Sequence, residues 1–172
     1  GSCTAHGKRQ TFYRNLVTTG SKRMPAIKSV ECADFVNNVV YNWGIKAGGG
    51  NPRSLNYVAN YFRKGPGTMD EALWEPHTVE ADPTLHKAAV YAFDNHADGF
   101  TGGLDAPDDV YVDNLVCGGL SVDAESAQAA YDRVMAEAGA VLPTRDATSS
   151  KILDEVATGT GGYYNGTGHP AP

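Results

Sequence analysis

The sequence predicts an all-β fold, a parallel β-helix forming a partial solenoid, with C-terminal helices packed on it. Short β-prone runs that each contain an asparagine recur at Asn15, Asn38 and Asn60, at intervals of 23 and 22 residues. A repeat of this length, made of short strands and tight turns, has the size of one coil of a β-helix. Leucine-rich repeats have a similar length, but their Leu-x-x-Leu-x-Leu run is missing. Beyond Gly119 the pattern becomes typical of helices.

The recurring asparagine marks the same turn of each predicted coil. A fourth copy around Asn95 follows after a longer gap, and a fifth copy is suggested around Asn114. Asparagine tolerates the left-handed backbone conformation of a sharp turn, and stacked side-chain amides can bond along the axis of the coils. We therefore expect the asparagines to stack; the alternative is that they are unrelated loop residues.

The chain divides into three predicted segments. Residues 1–118 form the β-helix coils, with an inserted loop at about 65–86 that begins at a Gly-Pro-Gly run. Residues 119–158 form a C-terminal helical segment. Residues 159–172, rich in glycine, proline and tyrosine, are expected to form a flexible tail.

Two helices are predicted in the C-terminal segment. Asp123 can cap a helix over 124–138 that stops at Gly139. Asp146 can cap a second helix that stops near Gly159. We expect both helices to cover an end or a side of the solenoid rather than perform chemistry.

Charge and composition restrict the partners of this 172-residue chain. The net charge is −6, from 14 Lys and Arg against 20 Asp and Glu, which argues against a nucleic-acid partner. No run approaches the roughly 20 apolar residues that a membrane helix requires, so no membrane partner is expected. Residues 8–28 nevertheless carry six cations and no acid. Such a strip suits an anion held at one place, and a solvated basic face is the alternative.

Three cysteines, Cys3, Cys32 and Cys117, have neither the CxxC spacing nor the Cys/His spacing of a zinc site. Three thiols cannot all pair within one chain. The sequence leaves their pairing open.

Four motifs, taken in order, carry a resemblance to a known family. They are Ser-Lys-Arg-Met-Pro-Ala-Ile-Lys at 21–28, the run ending Tyr-Asn-Trp-Gly at 34–44, Asn-Tyr-Val-Ala-Asn-Tyr-Phe-Arg-Lys-Gly-Pro at 56–66, and the segment 130–146. The first three resemble the catalytic coils of pectate lyases of polysaccharide lyase family 1. The fourth is similar to the C-terminal end of many bacterial members. Together the motifs span most of the chain.

The resemblance implies a right-handed parallel β-helix and a secreted enzyme that cleaves polygalacturonate, the backbone of pectin, by β-elimination. In that reaction a base removes the proton α to the uronate carboxylate at C5, and the C4–O4 bond then breaks. Negative charge develops on the carboxylate, so calcium and cationic side chains are needed where it forms.

Three cations occupy positions that the resemblance makes functional. Arg23 corresponds to the catalytic arginine, which acts as a base only where its pKa is depressed. Lys28 stands where the second arginine usually lies, and it can neutralise a uronate without making a bidentate contact. Lys8 corresponds to a third cation that binds substrate. The alternative for Arg23 is a surface arginine in a basic loop.

Calcium is the expected cofactor, yet the 22 residues before Arg23 contain no Asp or Glu, where the family carries its calcium ligands. We therefore assign no metal ligand within this chain and expect the ligands mainly outside it. The resemblance covers the C-terminal half of the usual catalytic domain. A companion chain carrying the N-terminal coils is an expected partner, and the chain could be inactive without them. The alternative function is a non-catalytic β-helical module that binds acidic polysaccharide.

Overall fold

The computed structural model describes residues 4–76, 87–104 and 110–162. These residues form eleven strands and two helices: β1 (Thr4–Tyr13), β2 (Leu16–Thr18), β3 (Ala26–Val36), β4 (Val39–Tyr41), β5 (Gly49–Asn51), β6 (Ser54–Val58), β7 (Tyr61–Arg63), β8 (Ala72–Pro76), β9 (Ala89–Phe93), β10 (His96–Asp98), β11 (Gly103–Leu104), α1 (Ala127–Glu137) and α2 (Ala147–Thr158).

All strand pairs are parallel, and the strands form a solenoid of about three turns. One sheet has the order β11-β8-β5-β3-β6-β9, with β1 also joined to β3, and the second sheet has the order β10-β7-β4-β2. The first part of β3 pairs with β5 and the last part pairs with β6, so β3 runs along two faces of its coil. The predicted parallel β-helix is confirmed.

An aromatic stack fills the interior along the solenoid axis. Phe12 contacts Phe35, Phe35 stacks on Tyr57 and Tyr57 contacts Trp74, with ring centroids 6.1, 5.2 and 5.3 Å apart. Phe12, Phe35 and Tyr57 stack because the parallel register places them above one another in successive coils, whereas Trp74 comes from β8, which pairs with β5 rather than with β6. Trp74 belongs to β8, so part of the stretch expected as a loop at about 65–86 is a strand of the stack. Residues 77–86 lie outside the described residues.

The predicted asparagine stack is present. Asn15, Asn38 and Asn60 each donate their side-chain amide to the Oδ1 of the asparagine in the following coil, at 2.9, 3.1 and 2.9 Å, and Asn95 is the last acceptor. The same Oδ1 atoms also accept the backbone N–H of the preceding asparagine. Asn114, suggested as a fifth copy, lies exposed in irregular chain after an isolated bridge at Tyr111.

The left-handed conformation falls on a different residue from the one expected. In each coil the residue immediately before the ladder asparagine has a φ between 52° and 55°: Arg14, Asn37, Ala59 and Asp94. The asparagine is therefore selected for its amide, which bonds the neighbouring coil, and its neighbour makes the sharp turn.

A segment that we call the strap, residues 116–126, crosses the outside of the coils. It starts at Asn56, whose side chain bonds both the N–H and the C=O of Val116, and Cys117 is disulfide-bonded to Cys32 one coil earlier. It ends near the first coil, where Tyr13 donates to the carbonyl of Asp123. The structure thereby resolves the pairing that the sequence left open; Cys3 lies outside the described residues.

Both helices pack against the outer face of the second sheet, so they cover a side of the solenoid as expected. Tyr131 of α1 lies 4.4 Å from Tyr61 of β7, measured between ring centroids. Asp146 caps α2, which ends at Gly159 with a φ of 70°. The cap of α1 is Ser126 rather than Asp123, so α1 begins later than expected. The end of the predicted tail, residues 163–172, lies outside the described part of the chain.

In the described ranges, neither helix combines the length and the apolar character that crossing a bilayer would require.

Candidate active site

Arg23 lies in the turn between β2 and β3, where the chain enters the first sheet. Its backbone N–H donates to the carbonyl of Lys46 at 2.9 Å, and its φ is 59°. This left-handed geometry is held by the next coil, since Met24 donates in turn to the carbonyl of Ala47. The side chain is half-buried, and among the described residues its guanidinium makes no hydrogen bond or ion pair.

Two glycines of β5 allow the chain to pack closely beneath Arg23. A Cβ added to Gly49 would lie 3.7 Å from Cγ of Arg23 and 2.7 Å from the carbonyl oxygen of Glu75. A Cβ on Gly50, whose φ is 143°, would lie 1.9 Å from the carbonyl oxygen of Ile27. The absence of side chains at these positions brings three coils together under the arginine stem.

Lys28 is on the same coil as Arg23, near the start of β3. It is half-buried and pairs in register with Asn51 of β5. Arg23 lies just before the start of β3 and Lys28 lies just after it. The two cations are therefore at the same end of this strand. Two cations placed in this way could hold an anion, and that role stays a prediction.

Lys8 occupies a different place. It is exposed on β1, one coil earlier, and the register of its neighbours, Gly7 with Val30 and Arg9 with Cys32, sets it opposite Glu31. Glu31 lies about 10 Å beyond Lys28 along β3, at about 3.3 Å per residue. The structure thus does not bring Lys8 to the start of β3 with the other two cations.

A third cation at this place was missed by the sequence reasoning. Lys46 lies one coil after Arg23, and its ammonium forms an ion pair with the carboxylate of Glu75. A spacing of 23 residues from Arg23 equals the coil period and could have identified Lys46 as its neighbour. Nothing in the sequence pattern identified Glu75 as the partner.

Two cavities lie elsewhere. One of about 320 Å³ lies between β2 and the two helices, and it is lined by Leu16, Gly139 and Ile152 among others. The other, of about 210 Å³, is at the end of the solenoid interior beside Phe12 and Phe35. Arg23 lines neither of them. Neither cavity therefore belongs to the candidate site around Arg23.

The described residues do not fit a calcium ion. Calcium needs six to eight oxygen ligands. Within residues 4–76, 87–104 and 110–162, no three metal-ligating side chains lie together. We derive no step of the chemistry through calcium.

Comparisons with known proteins identify relatives of this chain. It is 29% identical over 160 residues to a probable pectate lyase C from Aspergillus flavus, covering 86% of this chain and 35% of that protein. Probable pectate lyases C from Neosartorya fischeri and Emericella nidulans are each 30% identical, over 158 and 167 residues, covering 86% and 88% of this chain and 34% and 37% of theirs.

The chain thus spans about a third of the length of the curated relatives it matches. No family model and no solved structure matches it. The similarity nevertheless extends over most of the chain, and the structure is the coil stack that the lyase resemblance implied. On both grounds, the chain is similar to the pectate lyases over most of its own length.

Proposed function

We propose that the protein cleaves polygalacturonate by β-elimination, with Arg23 as the base. The observation that carries this proposal is Arg23 itself: its side chain is half-buried, its guanidinium has no polar partner among the described residues, and it is on the same coil as Lys28. The names of the relatives support a pectate substrate.

The proposed reaction starts with a proton transfer. Arg23, in its neutral form, takes the proton from C5, and the electron pair of the C5–H bond forms the C4–C5 double bond. The C4–O4 bond breaks, and the leaving oxygen takes a proton from water. Lys28 stabilises the negative charge that develops on the uronate carboxylate, because a fixed cation there stabilises the transition state more than the ground state. We place the ligands of any calcium outside the described residues.

The substitution Arg23→Ala tests the base. General-base catalysis contributes about 10²–10⁴-fold, so the rate of double-bond formation on polygalacturonate should fall by at least about 100-fold. The ultraviolet absorbance of the unsaturated product measures this rate. The melting temperature should change little, because the side chain has no described polar partner.

A suitable control is Lys151→Met, which removes an exposed lysine from an i,i+4 pair with Glu155 on α2. This variant should retain full activity. An Arg23→Ala protein that remains as active as the control would exclude Arg23 as the base.

The second candidate function is a non-catalytic module that binds acidic polysaccharide. The absence of a calcium-ligand set among the described residues favours it. Binding of polygalacturonate without formation of double bonds would support this function over the lyase.

We also propose that the protein is secreted. The disulfide between Cys32 and Cys117 supports an oxidising compartment, because such bonds persist mainly outside the cytosol. We do not propose the companion chain, since neither the comparisons nor the contacts of the described residues support it.

A further inference from the structure

The ion pair between Lys46 and Glu75 lies directly beside Arg23. The carbonyl of Lys46 accepts the backbone N–H of Arg23 at 2.9 Å. The main chain of Glu75 and Cγ of Arg23 both lie within 4 Å of the space above Gly49. Three residues from three successive coils, two cationic and one anionic, therefore share one small area of surface.

Within this group the carboxylate of Glu75 is bound to Lys46 and not to Arg23. Arginine would be the stronger partner, because its planar fork contacts both oxygens of a carboxylate. Glu75 and Lys46 are each about one-quarter to one-third exposed, with side-chain values of 31% and 25%, so screening by solvent is incomplete. A carboxylate without a partner at this place would attract the neighbouring guanidinium.

We propose that Lys46 is a positioning residue that occupies Glu75 and so keeps the guanidinium of Arg23 free for the substrate. The inference rests on the proposed function of Arg23. Without Lys46, the guanidinium of Arg23 forms an ion pair with the carboxylate of Glu75. A guanidinium in such a pair has its charge neutralised, holds its proton more tightly, and no longer faces a uronate.

This role differs from direct binding of the substrate by the ammonium of Lys46. A substrate-binding lysine would contribute its charge whether or not Arg23 is present. A positioning lysine acts only through Arg23, so its effect should vanish when Arg23 is removed. A double-mutant cycle separates the two roles.

The experiment measures the affinity of the protein for a short oligogalacturonate by calorimetry at low salt. Lys46→Met should weaken binding about tenfold. The double variant Lys46→Met/Glu75→Gln should restore it to within about twofold, because the competing carboxylate is gone. In an Arg23→Ala background, Lys46→Met should have no further effect. Lys151→Met on α2 is the matched control, since it also breaks a lysine–glutamate pair.

Equal weakening by Lys46→Met with and without Arg23 would overturn the inference and assign a direct charge role instead. No weakening by Lys46→Met, where Arg23→Ala does weaken binding, would also overturn it. Failure of Glu75→Gln to rescue the affinity would exclude Glu75 as the competitor and overturn it too.

A second readout decides the inference even if the oligogalacturonate does not bind, an outcome that would contradict the proposed function alone. The Nε–Hε resonance of Arg23 in an NMR spectrum reports pairing of the guanidinium. It should shift in Lys46→Met and return to its original position in Lys46→Met/Glu75→Gln. An unchanged resonance in Lys46→Met would overturn the inference.

Discussion

A single ladder asparagine shows how one side chain can join neighbouring coils. Asn38 is fully buried, and its Oδ1 accepts both the backbone N–H and the side-chain amide of Asn15. Its own amide donates to the carbonyls of Phe12 and Val36 and to Oδ1 of Asn60. A buried amide with this many partners is costly to remove, because each partner loses its hydrogen bond without gaining water.

Asn38→Ala should lower the free energy of unfolding by about 3 kcal/mol, because it leaves several buried groups unsatisfied. Asn15→Ala is the control: Asn15 is exposed and donates only to Asn38 and Tyr13 among the described residues, so its loss should be about 1 kcal/mol. Chemical denaturation measures both. Equal losses in the two variants would contradict the ladder account.

Asp34 contributes to the dependence of stability on pH. Its side chain is fully buried beneath the strap. Burial raises the pKa of this carboxyl, but hydrogen bonds from Ser121, Asn56 and Arg9, together with the charge of Arg9, outweigh burial and hold the pKa below its usual value of 3.8. A group with a lowered pKa contributes stability at pH values above its unfolded pKa. That stability is lost as the pH falls through the folded value.

We therefore expect the melting temperature of the wild-type protein to fall more steeply below about pH 4 than that of Asp34→Asn. Asp34→Asn should already be less stable at pH 7, because Arg9 loses its charged partner. Thermal unfolding monitored between neutral and acidic pH tests both statements. Parallel curves for the two proteins would show that Asp34 does not carry the acid sensitivity.

At the scale of single elements, β3 and β5 determine the candidate site. β3 extends over two faces of its coil and is bounded by the turn that carries Arg23. β5 contributes three residues, two of them glycines. Its close approach to β3 is possible only because these positions carry no Cβ.

Gly50→Ala should lower the free energy of unfolding by about 2 kcal/mol or more, because a Cβ at a φ of 143° is strained and would lie 1.9 Å from the carbonyl oxygen of Ile27. It should also reduce activity, since the coil that holds Arg23 would shift. Denaturation and the double-bond assay measure the two effects.

The control is Gly103→Ala on β11, where an added Cβ would meet no atom within 4 Å. Its free energy of unfolding should stay within about 0.5 kcal/mol of the wild-type value. If Gly50→Ala is as stable as this control, the close packing of β3 and β5 is not required.

In the molecule as a whole, the strap connects coils that are not adjacent. The sheets pair each strand only with strands of the adjacent coils. A solenoid is stabilised mainly by contacts between adjacent coils. The strap adds contacts along the axis, from Asn56 through the disulfide at Cys32 to Tyr13. The disulfide closes a segment of 85 residues, which includes most of the coils.

Replacing both cysteines with serine, at Cys32 and Cys117, should lower the free energy of unfolding by about 3–4 kcal/mol, because the unfolded chain regains the entropy of a long closed loop. Reduction of the wild-type protein should lower its melting temperature to a similar extent. The serine variant should not respond to the reductant. A wild-type protein that melts at the same temperature with and without reductant would contradict this prediction.

The sequence by itself determined the features that depend on local pattern and period. The 22-to-23-residue interval predicted the parallel coils and the asparagine ladder, and Asp146 and Gly159 predicted the limits of α2. That Arg23 and Lys28 lie near each other followed from their contiguous motif, and their roles stay predictions. Each of these depends on residues that are neighbours in the chain or one coil apart, where a constant spacing becomes a contact.

Only the tertiary structure decided the path of the strap, the pairing of Cys32 with Cys117, and the ion pair between Lys46 and Glu75. Cys32 and Cys117 are 85 residues apart, and no period connects them. Ser126 caps α1 in place of Asp123 because the strap carries Asp123 to Tyr13. Contacts of this kind depend on how irregular segments fold back over the coils, and that arrangement is fixed by packing in three dimensions rather than by the spacing of residues along the chain.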